Sequence, residues 1–323
     1  MSAPALEMSV VLPADSYATI RDTLAALRAQ SVRHRLELVI VAQSADGLGS
    51  PNGATDGFGA VKVAQIADLY PLPQARAHGV LAASAPVVLF AESHCYPAPR
   101  HCEALLDAHR GPWAAVGPAI GNANPDTMRS WAALYMDYGP WVDAARAGEV
   151  DNLPGHNSSY KRSVLVDYGD CLEAMMESSL ARQADLRSRG HRLYLEPGAR
   201  THHLNVTRSL LWIEERYVGG RAFAAARSGP WSRMRRVLYA AGSPLIPAVR
   251  MRRILGDVRR SGNGRLLPRL LPALALGLAI GAVGEGVGYA RGAGGALRRL
   301  NEMELHKVRC VRQADRPDVR TWA

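Results

Sequence analysis

The chain has 323 residues, of which 48% are hydrophobic, and a formal net charge of +10. This length and apolar content indicate a folded protein with a good-sized core and argue against intrinsic disorder. The four cysteines are scattered along the chain, which excludes a disulfide framework and indicates a reducing compartment. The first residues show no basic stretch followed by an apolar run, so we expect no signal peptide.

The elements predicted in residues 1–226 alternate between strands and helices. Apolar runs predict strands at 8–13, 36–41, 61–66, 86–90 and 114–118, and helical spacing predicts helices at 17–30, 73–84, 101–109 and 179–189. Such βαβ alternation predicts an α/β fold with a doubly wound, mostly parallel sheet flanked by helices. Ligands of such folds bind at the carboxyl ends of the strands.

The basic excess lies entirely in the remaining part, because the net charge is −3 over residues 1–226 and +13 over 227–323. Arginine clusters there alternate with apolar segments, and no charged residue occurs from 270 to 284. An anionic membrane surface suits this pattern better than nucleic acid, which favours exposed aromatic side chains among the basic ones. We predict a helical, membrane-associated region at 227–323 and no nucleic-acid partner.

The apolar run 266–289 leaves its mode of membrane association open. Its uncharged part is shorter than the roughly 20 residues of a straight membrane span. A marginal span, a re-entrant hairpin and a buried core helix all remain compatible with it.

The strand predicted at 86–90 runs directly into Glu92-Ser93-His94. Side chains at i and i+2 of an extended segment face the same side, so the carboxylate and the imidazole could meet one ion. A zinc site built from His94, Cys95, His101 and Cys102 is a weaker alternative. The spacing of those residues does not match closely paired zinc ligands, and two prolines lie between them.

Several motifs in order along residues 8–203 resemble bacterial family 2 glycosyltransferases of GT-A fold. They read SVVLP, ELVIV, ARAHGVLAASAPVVLFAESHCYPAP, LPGHNSSYKRSVL and LRSRGHRLYLEPGARTHH. The resemblance implies an enzyme that moves a sugar from a nucleotide-activated donor to a lipid, lipid-linked or glycan acceptor, with inversion. It also implies a place on the cytoplasmic side of the cell membrane and a role in the cell envelope, since many members end in membrane-embedded helices.

The resemblance further implies which residues bind metal and donor. Glu92-Ser93-His94 stands where the family has Asp-x-Asp, which addresses a divalent cation (Mn or Mg) and the diphosphate. The downstream pair His202-His203 matches the histidine that completes some family sites, and His202 is the predicted third ligand after Glu92 and His94. The predicted donor contacts are Asp15, Asp46, Arg76, Glu92 and Ser93.

The acceptor side is implied by two further segments. The loop LPGHNSSYKR places Gly155, His156 and Asn157 beside the acceptor. Glu177 is the nearest match to the family's general base, and Glu173 and Asp185 are rivals for that role.

Three departures from the family pattern support an alternative. Glu92 and His94 replace two aspartates, the second strand is not followed by an Asp, and Ser178 stands where a second acid is expected. A catalytically weakened GT-A domain that binds a nucleotide sugar or a membrane partner therefore stays open.

Overall fold

The computed structural model describes residues 5–49, 52–144 and 146–318. Within these, the chain forms two compact units, one comprising residues 5–121, 143–203 and 318, the other 122–142 and 204–317. The boundary predicted at 226/227 falls inside a helix of the second unit. The expectation about the N-terminus falls partly on residues 1–4, which lie outside the described residues.

The strands of the first unit form one sheet, which has nine strands within the described residues. They are β1 (Met8–Pro13), β2 (Leu36–Ala42), β3 (Ala60–Gln65), β4 (Val87–Phe90), β5 (Cys95–Pro97), β6 (Ala115–Asn122), β7 (Gly148–Glu149), β8 (Ser159–Lys161) and β9 (Leu193–His203). Their order is β3-β2-β1-β4-β8-β6-β9-β5, and β7 pairs with β9.

The described helices of both units are numbered together in chain order. They are α1 (Tyr17–Arg28), α2 (Leu72–Ala82), α3 (His101–His109), α4 (Met128–Tyr138), α5 (Arg162–Val166), α6 (Leu172–Met176), α7 (Ser179–Ser188), α8 (Ser209–Ser228), α9 (Arg233–Gly242), α10 (Ile246–Arg260), α11 (Leu267–Arg291) and α12 (Ala296–Leu305). Helix α4 and helices α8 to α12 belong to the second unit.

The predicted βαβ pattern is confirmed in the first half of the sheet, where β1 pairs in parallel with β2 and β4, and β2 with β3. Beyond it, β8 runs antiparallel to β4 and β6, and β5 runs antiparallel to β9. The short strand β5 lies at the end of the order, where Pro97 is tolerated because an edge strand lacks a partner on one side. The four parallel strands therefore end along one edge of the sheet.

Helix α2 lies unusually close to this sheet. A Cβ atom added to Gly79 would lie 2.4 Å from Cγ1 of Val11 and 2.9 Å from Cγ2 of Val41, so only glycine allows this approach. The close packing fixes the position of Arg76, one turn earlier on the same helix.

A buried carboxylate ties the parallel strands together. Glu37 of β2 pairs with Lys62 at 2.6 Å and accepts hydrogen bonds from Ser84 and Ser9. Burial alone would raise the pKa of Glu37, but the hydrogen bonds from Lys62, Ser84 and Ser9 outweigh it and lower the pKa to about 2. The ionised form is thus the one that stabilises the fold.

The second unit is a helical assembly in which α11 packs along α8 through glycine. A Cβ atom on Gly284 would lie 2.2 Å from the carbonyl oxygen of Tyr217, and one on Gly288 would lie 2.4 Å from that of Arg221. Helix α11 also contacts α4, α9 and α10. Its backbone therefore approaches α8 more closely than side chains would permit.

The segment 264–291 is the one helix, within the described ranges, that is long and apolar enough to cross a membrane. This rests on length and composition alone, and 33% of its most apolar window is buried. Because a core helix of a soluble protein passes the same test, the segment is weak evidence for a membrane span.

We expect Gly284→Ala to lower the free energy of unfolding by about 1–3 kcal/mol, because the added methyl group overpacks the α8–α11 contact. Gly256→Ala in α10 is the matched control: its Cβ meets no atom within 4 Å, and alanine favours the helix by up to about 1 kcal/mol. Denaturant unfolding of the two variants measures the difference. Equal stability of both would contradict the packing argument.

We expect Glu37→Gln to cost about 1–3 kcal/mol at pH 7, because the buried hydrogen-bond partners lose a charged acceptor. The folded-state pKa is lowered, so the wild-type advantage is fully present above about pH 4.5 and is lost as the pH falls towards 2. Urea unfolding between pH 7 and pH 3 measures it. An undiminished cost at pH 3 would show that ionisation of Glu37 plays no part, and Glu103→Gln at the surface should have a much smaller effect.

Candidate functional site

A tight turn follows β4 at the edge where the parallel strands end. The backbone N–H of Cys95 donates to the carbonyl of Glu92 at 3.4 Å. The hydroxyl of Thr23, from the buried face of α1, donates to the carbonyls of Glu92 (2.9 Å) and Cys95 (3.2 Å). The extended segment expected here is therefore a turn, and the turn gathers the side chains at 92, 94 and 95.

Four side chains around this turn form a group that could hold a metal ion: Glu92, His94, Cys95 and His203. One ligand atom from each lies within 4.8 Å of all the others. Oε2 of Glu92 is 3.3 Å from Sγ of Cys95 and 3.7 Å from Nε2 of His94. The rings of His94 and His203 meet edge to face, with centroids 4.9 Å apart.

The alternation of strand β9 separates the two consecutive histidines. His203 pairs with Cys95 across the β5–β9 ladder, whereas His202 pairs with Tyr96. Because successive side chains point to opposite faces, His202 faces away and its ring lies over Gly121. Burial, assisted by the charge of Arg200, lowers the pKa of His202 to about 4. The structure thus places His203, and not the predicted His202, beside Glu92 and His94.

The other oxygen of Glu92 faces different partners. Oε1 lies 3.6 Å from Nη2 of Arg76 and 3.4 Å from Nδ1 of His156. The amide of Asn157 donates to Oε2 at 3.3 Å. The predicted donor residue Arg76 and two residues of the predicted acceptor loop therefore meet at one buried carboxylate.

The loop that carries His156 and Asn157 is fixed from both sides. Asn157 has a left-handed φ of 59°, which Asn tolerates better than most residues, and its N–H donates to the carbonyl of Phe90 at 2.8 Å. A Cβ atom on Gly155 would lie 2.8 Å from Oγ of Ser179, at the start of α7. This contact places the loop beside the segment that contains Glu177.

Of the remaining predicted residues, Ser93 is buried and the others are exposed. Ser93 is buried, and its hydroxyl is 3.4 Å from Nδ1 of His94. Glu177 is exposed at the end of α6. Asp15 and Asp46 are exposed after β1 and β2, on the edge where Glu92 follows β4. Their roles stay predictions.

Thr23 and Cys95 contribute to this turn and are not among the residues of the predicted site. Thr23 occupies a buried position on α1 next to Leu24 and near Ile20 and Leu27, and a polar residue on that face was the available signal. Cys95 enters the sequence prediction only as a ligand of the alternative zinc site, because the turn that brings it to Glu92 has no sequence signature of its own.

A mixed α/β unit whose parallel strands are flanked by helices, with charged side chains gathered at the carboxyl edge, fits a GT-A domain. The family model described as Glycosyl transferase family 2 matches residues 9–169 and supports a family 2 glycosyltransferase. The matched segment contains Arg76, Glu92, His94 and Asn157, whereas Glu177 and His203 follow it. Comparison with curated proteins yields no significant match.

Members of this family commonly use a divalent cation, and the group around Glu92 is a possible metal site. The set of metal ligands that this group offers is one carboxylate, two imidazoles and one thiol. Magnesium and manganese prefer carboxylate, carbonyl and water oxygens, so this set does not fit the predicted ions.

Proposed function

We propose that the protein transfers a sugar from a nucleotide-activated donor to a lipid, lipid-linked or glycan acceptor, with inversion at the anomeric carbon. The observation that carries this proposal is the convergence of Arg76, His156 and Asn157 on Glu92, inside the segment that matches the family. Residues predicted for the donor side and for the acceptor side thus share one buried centre.

The departing nucleoside diphosphate develops negative charge that must be stabilised. Arg76 is suited to this task, because its side chain is only 13% exposed and its guanidinium is held beside Glu92. A guanidinium binds phosphate oxygens in a bidentate manner, which also orients the donor. Because the ligands around Glu92 fit neither Mn nor Mg, no step of the proposed reaction is assigned to either ion.

The acceptor hydroxyl must lose a proton to a base on the face opposite the leaving group. We assign this role to Glu177, which is exposed and lies two residues before Ser179, the neighbour of Gly155. Its rival Asp185 accepts a hydrogen bond from Tyr168 at 2.8 Å and pairs with Arg189 at 2.8 Å, so it is already engaged. Glu173 is the remaining rival.

The surface of the second unit supports membrane association, and we propose the cytoplasmic side because the family resemblance implies it. Helix α9 exposes Met234 (83%), between two arginines, and Val237 (65%) and Leu238 (68%), which follow a third. Exposed apolar side chains interleaved with cationic ones are typical of helices that lie in an anionic membrane interface. Such a location would bring the active site to a lipid or lipid-linked acceptor of the cell envelope.

A nucleotide-sugar-binding domain without transfer activity is the second candidate. It is favoured by the group of possible metal ligands around Glu92, which lacks the second carboxylate of the family pattern. The two candidates differ in product formation and agree in donor binding.

We expect one class of nucleotide sugar, screened as UDP-, GDP- and dTDP-activated donors, to raise Tm. A donor present at a hundred times its Kd should raise the free energy of unfolding by about 2.7 kcal/mol. Arg76→Gln should weaken donor binding about tenfold or more, since a charged hydrogen bond is lost. Arg100→Gln, at an exposed surface pair, is the control.

Glu177→Gln should lower kcat for release of the nucleoside diphosphate and leave donor binding intact.

Two results would separate the candidates or refute both. Donor binding without transfer to any lipid or glycan acceptor would refute the transferase and support the nucleotide-sugar-binding domain. If no nucleotide sugar stabilises the protein and Glu92→Ala keeps full biological activity, both candidates are refuted.

We expect the protein to sediment with phosphatidylglycerol vesicles and much less with phosphatidylcholine vesicles, with binding that weakens as salt rises. Replacing both Met234 and Leu238 by Asp should reduce binding about tenfold or more, because two exposed apolar anchors are lost. Leu210→Asp, at an exposed apolar residue of α8, is the matched control. Equal binding to both lipids would contradict an interface built on arginine.

A further inference from the structure

We propose that Glu92, His94, Cys95 and His203 form a closed zinc site that fixes the turn after β4 to strand β9. This goes beyond sugar transfer and differs from an open magnesium or manganese site that would share its ion with the diphosphate. We call this group the zinc cluster.

The spacing of the ligand atoms suits zinc. Zinc bonds of about 2.0–2.3 Å in a tetrahedron place neighbouring ligand atoms about 3.3–3.8 Å apart. Oε2 of Glu92 lies 3.3 Å from Sγ of Cys95 and 3.7 Å from Nε2 of His94, and all four ligand atoms lie within 4.8 Å of one another. Small side-chain adjustments would therefore complete the coordination.

The ligand types select the same metal. Thiolate and imidazole favour zinc among the common divalent ions, whereas magnesium and manganese favour oxygen. The four residues are 4%, 1%, 1% and 4% exposed, in the order Glu92, His94, Cys95, His203. Four buried protein ligands are typical of a structural zinc site, since a catalytic zinc keeps one position open to water or substrate.

Neighbouring groups support the ligands in the way that outer partners of zinc sites do. The hydroxyl of Ser93 lies 3.4 Å from Nδ1 of His94, which leaves Nε2 directed at the cluster. The amide of Asn157 donates to the ligand oxygen of Glu92 at 3.3 Å. Such contacts orient a ligand before the metal binds.

The position of the zinc cluster gives the metal a structural task. Its ligands come from the turn after β4, from the first residue of β5 and from the last residue of β9. Strand β5 has three residues and lies at the edge of the sheet, so backbone pairing alone holds it weakly. A zinc ion would add a link between β5 and β9 at the pair Cys95–His203.

The two oxygens of Glu92 would then serve different partners. Oε2 faces the thiol and the imidazole, while Oε1 faces Arg76 and His156. A zinc ion on Oε2 would hold the carboxylate in place and thereby position Arg76. Glu92 is in this view a positioning residue on the donor side.

The test begins with the full chain, purified after removal of any affinity tag and stripped with a chelator. Titration with zinc against a chromophoric chelator should give about one tightly bound ion per chain, and magnesium and manganese should not compete at millimolar concentration. Replacement by cobalt should produce a thiolate-to-cobalt absorption band, which identifies sulfur as a ligand. Zinc should raise Tm of the stripped protein.

Matched variants locate the site. Cys95→Ser should remove the absorption band, and His203→Gln should reduce zinc affinity at least about tenfold. His202→Gln, on the opposite face of β9, and Cys171→Ser, at an exposed cysteine, should bind zinc like the wild type. If a variant fails to fold, the cobalt spectrum of the wild-type protein still decides whether sulfur binds the metal.

The proposal is overturned if the stripped protein binds no zinc, if its cobalt form lacks the thiolate band, or if His202→Gln loses the ion and His203→Gln retains it. These measurements need no nucleotide sugar. A chain that binds zinc and no donor therefore refutes the proposed transfer alone, and a chain that binds a donor and no zinc refutes the zinc cluster alone.

Discussion

Burial of the Glu92 carboxylate is the constraint on which the organisation of the first unit depends. An ionised carboxylate removed from water is costly unless cations or hydrogen-bond donors surround it. Arg76 from α2 and the loop residues His156 and Asn157 meet this requirement, and His94 and Cys95 face its other side. A helix, a loop and a turn thus meet at this one buried carboxylate.

The parallel strands explain why this centre lies where it does. Strands β1, β2, β3 and β4 run in one direction, so the segments that follow them share an edge. The close contacts of α2 at Gly79 and of the loop that contains Gly155, His156 and Asn157 then set the distances around Glu92. Some of the groups that surround the buried carboxylate are also those proposed to hold the donor.

The second unit relies on a different kind of contact. Its long helix α11 approaches α8 through glycine, so backbone lies against backbone, while α9 exposes apolar and cationic side chains together. Close packing holds the helices to one another, and the exposed face supplies a surface suited to a lipid interface. An apolar, partly buried helix such as α11 can hold the helices of this unit together without crossing a membrane.

Local patterns were sufficient for most of the elements. The spacing of Ile20, Leu24 and Leu27 predicted α1, and the apolar run before Ala91 predicted β4, because each depends on side chains that are close in sequence. The antiparallel strands β5 and β8 were not predicted. Both are three residues long, and their pairing depends on partners far away in the chain.

The sequence by itself determined that an acid and an imidazole follow β4, and that the chain resembles the family 2 glycosyltransferases. It predicted His202 as the third ligand without a means of distinguishing it from His203, since neighbouring residues of a strand are chemically equal until the face that each occupies is known. Only the tertiary structure decided that His203 joins Glu92 and His94, because the ladder pairs it with Cys95. The same pairing adds the thiol of Cys95 to a predicted site of one carboxylate and two imidazoles.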